Sequence, residues 1–157
     1  MTKAKKISYR GGIVTFSVPE SWREEYESSG GATFFEDRSD SGTLRLNVLS
    51  FESKDEPAEK MALSVFPAGS YELLPNGFPM RYEVTEASEH GENLHLHSWS
   101  IAVPVPPHSV RLAMFRHTVL AGQESDPLIS AELDFLQRSI RSAAFSQASG
   151  VAGDFRQ

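Results

Sequence analysis

The sequence contains no cysteine. That excludes disulfides, thiol catalysis, zinc fingers and cysteine-held iron–sulfur clusters. Long apolar runs are missing too, and none approaches the ~20 residues a membrane-spanning helix requires. Phosphate loops are absent. Gly11–Gly12 and Gly30–Gly31 are isolated pairs without the spacing or the lysine of such a loop. There is no Gly–x–Ser–x–Gly elbow, and no Ser, His and Asp are tied by sequence. Lys3 to Lys6 could pass for the start of a secretory signal, but Ser8 to Gly12 stand where its apolar stretch must be. These absences predict a cytoplasmic protein with no membrane insertion and no cofactor.

What is present is ordinary for one globular domain. The chain has 157 residues, 39% hydrophobic and 23% charged. A chain of this size buries roughly 70% of its unfolded surface and folds without a covalent staple. Lys plus Arg number 15 against 21 Asp plus Glu, a net charge of −6. The distribution is uneven. Lys3, Lys5, Lys6 and Arg10 give the first ten residues +4, which leaves 11 basic against 21 acidic residues elsewhere, a body of −10. An acidic body repels phosphate backbones, so nucleic acid is excluded as a partner. Residues 1–9 read as a disordered, solvated basic tail. Residues 147–157 read as a second disordered tail, being rich in Ser, Ala and Gly without periodicity. A single domain, 10–146, lies between them.

Within that domain the β-branched and aromatic run at 13–18 predicts a strand, ended by Pro19. Residues 19–27 suit a turn or one short helical turn. Residues 32–37 and 43–52 predict a hairpin. In its second strand Leu44, Leu46 and Val48 alternate with Thr43, Arg45 and Asn47. Ala58, Met61, Ala62 and Val65 form a helical stripe, with Asp55 as cap and Pro57 in the first turn. A short strand at 70–74 precedes three longer ones at 80–87, 94–103 and 109–121. Three prolines at 104–107 forbid a regular ladder in the last connection. Finally, Asp126 and Pro127 open an amphipathic helix at about 127–145, with Ile129, Leu133, Leu136 and Ile140 on one face. The fold class is α+β: a central antiparallel sheet of about six or seven strands flanked by helices, with the last helix packed on it.

Two constellations carry possible chemistry. His95 and His97 are two apart on one strand and share a face with Trp99. If the connection after that strand closes a hairpin centred near residue 107, His117 falls opposite His97. Three converging imidazoles could hold a metal and activate a water, which would make a hydrolase. The plainer alternative is a polar strip beside Trp99 and Arg111, serving as a partner-binding or homodimer surface. The second constellation is the run from Glu20 to Asp40, with seven acids against Arg23 and Arg38. Glu24, Glu25 and Asp37 there are candidates for meeting a basic partner. Glu36 and Asp37 are adjacent on a strand and face opposite sides, so they do not act together. Trp22 reads as a core-edge anchor.

The strand running into proline and tryptophan, TFSVPESW at 15–22, resembles the start of the PsbP/Mog-like superfamily, including its bacterial DcrB-related members. So do the hairpin GATFFEDRSDSGTLRLNVLSFES and the closing FLQRSIRSAAF. The resemblance covers roughly residues 10–146. It implies a central antiparallel sheet and a family that mostly binds proteins: photosystem accessory subunits, a Ran-binding protein, periplasmic lipoproteins and adaptor chaperones for type VI secretion effectors. It carries over no catalytic residue set. With no targeting segment and no lipobox cysteine, the chain resembles the cytoplasmic adaptor and uncharacterised bacterial branches most.

Overall fold

The computed structural model describes residues 3–38 and 41–148. Ten strands and two helices follow in the order β1 (Ala4–Tyr9), β2 (Val14–Pro19), β3 (Arg23–Tyr26), β4 (Ala32–Phe35), β5 (Thr43–Glu52), α1 (Ala58–Leu63), β6 (Glu72–Leu73), β7 (Pro79–Glu89), β8 (Glu92–Val105), β9 (Ser109–Leu120), α2 (Pro127–Arg141) and β10 (Ala144–Phe145). They form two antiparallel sheets. One has three strands in the order β1-β2-β10, the other seven in the order β3-β4-β5-β9-β8-β7-β6. The fold is sheet-rich α+β with few flanking helices, and it has a second sheet that the sequence pattern did not reveal.

The three-stranded sheet and α2 cover one face of the large sheet. Ile7, Phe16 and Val18 from the small sheet, Leu136 and Ile140 from α2, and Leu46, Trp99, Ile101 and Phe115 from the large sheet form one buried cluster. Phe16 sits at the seam, edge-on to Phe34 at 5.4 Å and to Phe115 at 5.1 Å. Such pairs contribute about 0.5–1.5 kcal/mol beyond area burial. Among the described residues the opposite face is covered at one end, where Ala62 and Phe66 meet Ala102 and Val110.

The basic start is a strand, not a solvated tail, from residue 4 onward. Its lysines obscure a period-two pattern that puts Ile7 and Tyr9 in the core. Lys5 lies along the sheet with its Nζ donating to the Trp22 carbonyl at 2.5 Å and paired with Glu24 at 2.8 Å. Residues 149–157 of the expected tail lie outside the described residues, whereas Gln147 and Ala148 are anchored to the fold. Part of the expected turn at 19–27 is the edge strand β3, all four of its residues exposed. A charged edge without alternation carries no strand signature, and it also discourages edge-to-edge pairing.

Helix α1 begins at Ala58, with Pro57 at the N-cap position and no side-chain cap, so Asp55 does not serve as one. In α2 the Asp126 carboxylate does accept from the Leu128 N–H at 2.8 Å. That helix ends at Arg141, short of the expected 145, because Ala144 and Phe145 pair with Thr15 and Val14. The β8–β9 ladder runs through Pro104 to the pair Val105↔Ser109, against the expectation that the prolines would forbid it. Strand β7 has already ended, its Met80 opposite Ile101, so β8 has one neighbour at Pro104 and tolerates the missing N–H.

Candidate functional site

The register of β8 and β9 is the one the sequence suggests: His97 lies opposite His117, and Trp99 opposite Phe115. The three imidazoles nevertheless do not converge. His95 and His97 turn to Glu124, in the 3₁₀ turn Gln123–Ser125 that follows β9. His95 Nδ1 lies 2.5 Å and His97 Nε2 3.1 Å from the same carboxylate oxygen. Since a carboxylate only accepts, both ring nitrogens donate to it. His97 Nδ1 is then free to accept from the Tyr82 hydroxyl, 2.8 Å away. Glu86 from β7 comes within 3.6 Å of His95 Nε2. The hydrogen bond from Glu124 raises the pKa of His95 despite some desolvation. Burial pushes Glu124 upward, but its bonds to the two histidines outweigh this and hold it below the usual carboxylate range.

His117 is separate and buried. Its ring stacks on Trp22 at 5.8 Å with 11° between planes. Neither ring nitrogen has a hydrogen-bond partner. Burial, and secondarily the nearby His97, pushes its pKa down to about 3. Gly42 packs so close that a Cβ there would stand 2.4 Å from Nε2. Among the described residues no group of three His, Asp or Glu side chains is arranged to hold a metal ion. In place of the alternative His95–His97–His117 arrangement, a carboxylate clamps two histidines and the third is stacked on Trp22.

The clamp predicts a pH dependence. His95, with its pKa raised above the unfolded value, contributes stability that is present below about pH 6.5 and lost as pH rises through its folded pKa. Removing the clamp carboxylate in Glu124→Gln should bring the His95 pKa back toward the ordinary value. A proton NMR titration of the His95 ring checks this, and an unmoved midpoint would show that Glu124 does not hold the ring in solution.

The other expected partner-binding residues fare differently. Trp99 is fully buried beneath α2, its Nε1 donating to Gln137 Oε1 at 3.0 Å. It is therefore no surface for a partner or a second copy. Arg111 is also buried, and its guanidinium donates to the carbonyls of Ser146 and Ala148 at 2.8 Å each, fastening the segment after β10. Both residues face inward because the small sheet and α2 cover their side of the large sheet, which no local pattern announces. In the acidic run, Glu24 pairs with Lys5, Asp37 with Arg23 at 3.4 Å, and Glu27 with Arg45 at 2.5 Å. Glu36 shares Arg38 with Glu132 of α2. Glu25 is exposed on the edge strand β3. Much of the cluster is thus neutralised within the fold rather than presented outward.

Sequence reasoning missed the outer face of the large sheet. Beside α1 there is an open groove of about 480 Å³ lined by Phe51, Met61 and Val65 with Ser53, Glu56 and Ser64. Leu49 is 55% exposed, Leu63 47% and Phe51 38%. A hollow of about 240 Å³ on the same face is lined by Arg45, Asn47, Glu83, Ser98, Met114 and Arg116 among others. A signal existed: after Val48, strand β5 places Leu49 and Phe51 on the face where Thr43, Arg45 and Asn47 had been polar.

No protein-family model matches the sequence, and no curated protein matches it. Solved structures do match in shape. LpqN of Mycobacterium tuberculosis, described as involved in cell envelope biogenesis, aligns with a TM-score of 0.62 at 14% identity, over 92% of this chain and 91% of LpqN. A single-residue variant of Mog1 aligns with a TM-score of 0.51 at 11% identity, over 91% of this chain and 96% of its own. A protein from Bacteroides thetaiotaomicron aligns with a TM-score of 0.57 at 17% identity. The match spans 90% of this chain but 48% of the Bacteroides protein. At these identities the likeness concerns the fold, which is Mog1/PsbP-like. No helix among the described residues is long and apolar enough to cross a membrane.

Proposed function

We infer that this is a non-enzymatic protein-binding module of the adaptor or chaperone kind. It resembles the bacterial DcrB-related, cytoplasmic branch of its fold and those adaptors that serve type VI secretion effectors. The observation that carries the reading is the apolar groove on the outer sheet face, where Phe51 meets Met61 and Val65 and Leu49 is exposed on the same face of β5. Large apolar side chains gathered on one surface mark interaction sites more often than isolated ones do. The occupant would be an apolar segment of another protein, laid across β5 and α1. The neighbouring hollow with Arg45 and Arg116 would meet its polar side.

The test is capture from the native host with wild-type protein and with Phe51→Asp. Phe51 lies outside the main buried cluster, so the substitution should leave the fold intact. Loss of a reproducible partner at least tenfold in the variant is expected, because an aspartate cannot desolvate against an apolar segment. Equal recovery of the same partners by both proteins overturns the assignment. Should the groove instead join two copies, sedimentation at micromolar concentration would show a dimer that Phe51→Asp dissociates.

A further inference from the structure

A different surface is built for an anion. Strand β10 is two residues long and stops pairing with β2 at Ala144↔Thr15. Beyond it the end of α2 takes over the edge. Ser139 Oγ accepts from the Ser17 N–H at 3.0 Å and donates to the Ser17 carbonyl at 2.6 Å. Where strand and helix exchange roles a cleft of about 440 Å³ opens, within the roughly 300–1,000 Å³ range of small-molecule sites.

Its walls are chemically one-sided. Lys6 enters from β1, directly opposite Ser17 in register, and Arg138 from α2, next to Ser139. Among the described residues no Asp or Glu lines the cleft, although the chain carries 21 acids against 15 bases. Among the described residues neither Lys6 nor Arg138 has an ion-pair partner. Thr15 adds a hydroxyl between them, and Phe135 adds a half-buried ring. Several other basic groups of the fold are taken: Lys5 by Glu24, Arg38 by Glu36 and Glu132, and Arg45 by Glu27. The carbonyl end of α2 repels an anion, so attraction must come from the two side chains, and the interaction is weak and salt-sensitive.

We propose that the cleft between β1, β2 and the end of α2 binds a small aromatic phosphomonoester, its phosphate held by Lys6, Arg138 and Thr15 and its ring against Phe135. Arg138 supplies forked donors for two phosphate oxygens and Lys6 a point charge. The apolar wall explains why the ligand would carry a ring rather than be bare phosphate.

The experiment is an amide NMR titration of the full-length isotopically labelled chain with phenyl phosphate at constant ionic strength. Saturable shifts confined to Lys6, Thr15, Phe135, Arg138 and Ser142 are expected, with a dissociation constant on the order of 1 mM. Inorganic phosphate should move the same amides at several-fold weaker affinity, and phenol should not saturate. The double variant Lys6→Gln, Arg138→Gln, both at exposed positions, should weaken phenyl phosphate at least tenfold while keeping the spectrum of a folded protein. Free phosphotyrosine and a short neutral phosphotyrosine peptide separate the sources. Tighter binding of the peptide assigns the group to a partner chain, and equal binding assigns it to a free metabolite. Shifts scattered over the surface, equal affinity for bare phosphate, or an unaffected double variant would each overturn the proposal.

Discussion

Trp99→Ala should destabilise the protein by about 3–5 kcal/mol, the range for removing a large aromatic from a packed core. Trp99 has no exposed surface, lies 5.2 Å from Tyr82 between ring centres, and bonds Gln137 of α2. Its loss opens a cavity beneath the helix and leaves the Gln137 oxygen with one donor fewer. For a chain of this size the melting temperature should fall by roughly 8–15 °C. Trp99→Phe keeps most of the volume and loses the indole N–H, so it should cost about 1–2 kcal/mol. Urea denaturation of the three proteins measures both. A cost for the alanine variant below about 1 kcal/mol would put Trp99 back on an accessible face.

The second large effect is acid-induced. His117 is neutral in the fold, with its pKa driven down to about 3 by burial. In the unfolded chain it titrates near 6.5. Below that pH the unfolded state gains a proton that the folded state refuses, so stability falls as pH falls from about 6.5 toward 3. Between pH 6.5 and 4.5 the loss from this group should reach about 2–3 kcal/mol. His95 acts in the opposite direction through its bond to Glu124, but it is partly exposed and the smaller effect. His117→Leu removes the titrating group and its two unsatisfied nitrogens without longer reach toward Gly42. Stability measured against pH should therefore be nearly flat over that window in the variant and sloped in the wild type. A parallel slope in both would show that His117 is not the group responsible.

Much of the architecture was readable locally. The Asp126 cap and the recurrence of Ile129, Leu133, Leu136 and Ile140 identify α2 because a helix must place one apolar stripe against the sheet. Leu44, Leu46 and Val48 identify β5 by the two-residue period of a strand. The His97↔His117 register followed from a hairpin centred near residue 107. Other elements were hidden for definite reasons. Lys5 and Lys6, in a basic stretch from Lys3 to Arg10, masked the alternation of β1. Strand β3 has no apolar side at all. Strand β10 is two residues long and exists only because β2 offers it an open edge.

The candidate sites divide in the same way. That His95, His97 and Trp99 share a face is a property of the strand and needed no tertiary information. Which layer covers that face is not a local property. Glu124 sits in a turn with nothing to mark it, yet it captures both histidines. Lys6 and Arg138, more than a hundred residues apart, line one cleft only because β1 and the end of α2 flank opposite edges of β2. The sequence by itself determined the periods, the Asp126 cap, the absence of cysteine chemistry and the hairpin register, since each depends on neighbours along the chain. The tertiary structure decided which faces are buried, which ions are paired and which clefts stay open, because burial and charge pairing depend on elements brought together from distant parts of the chain.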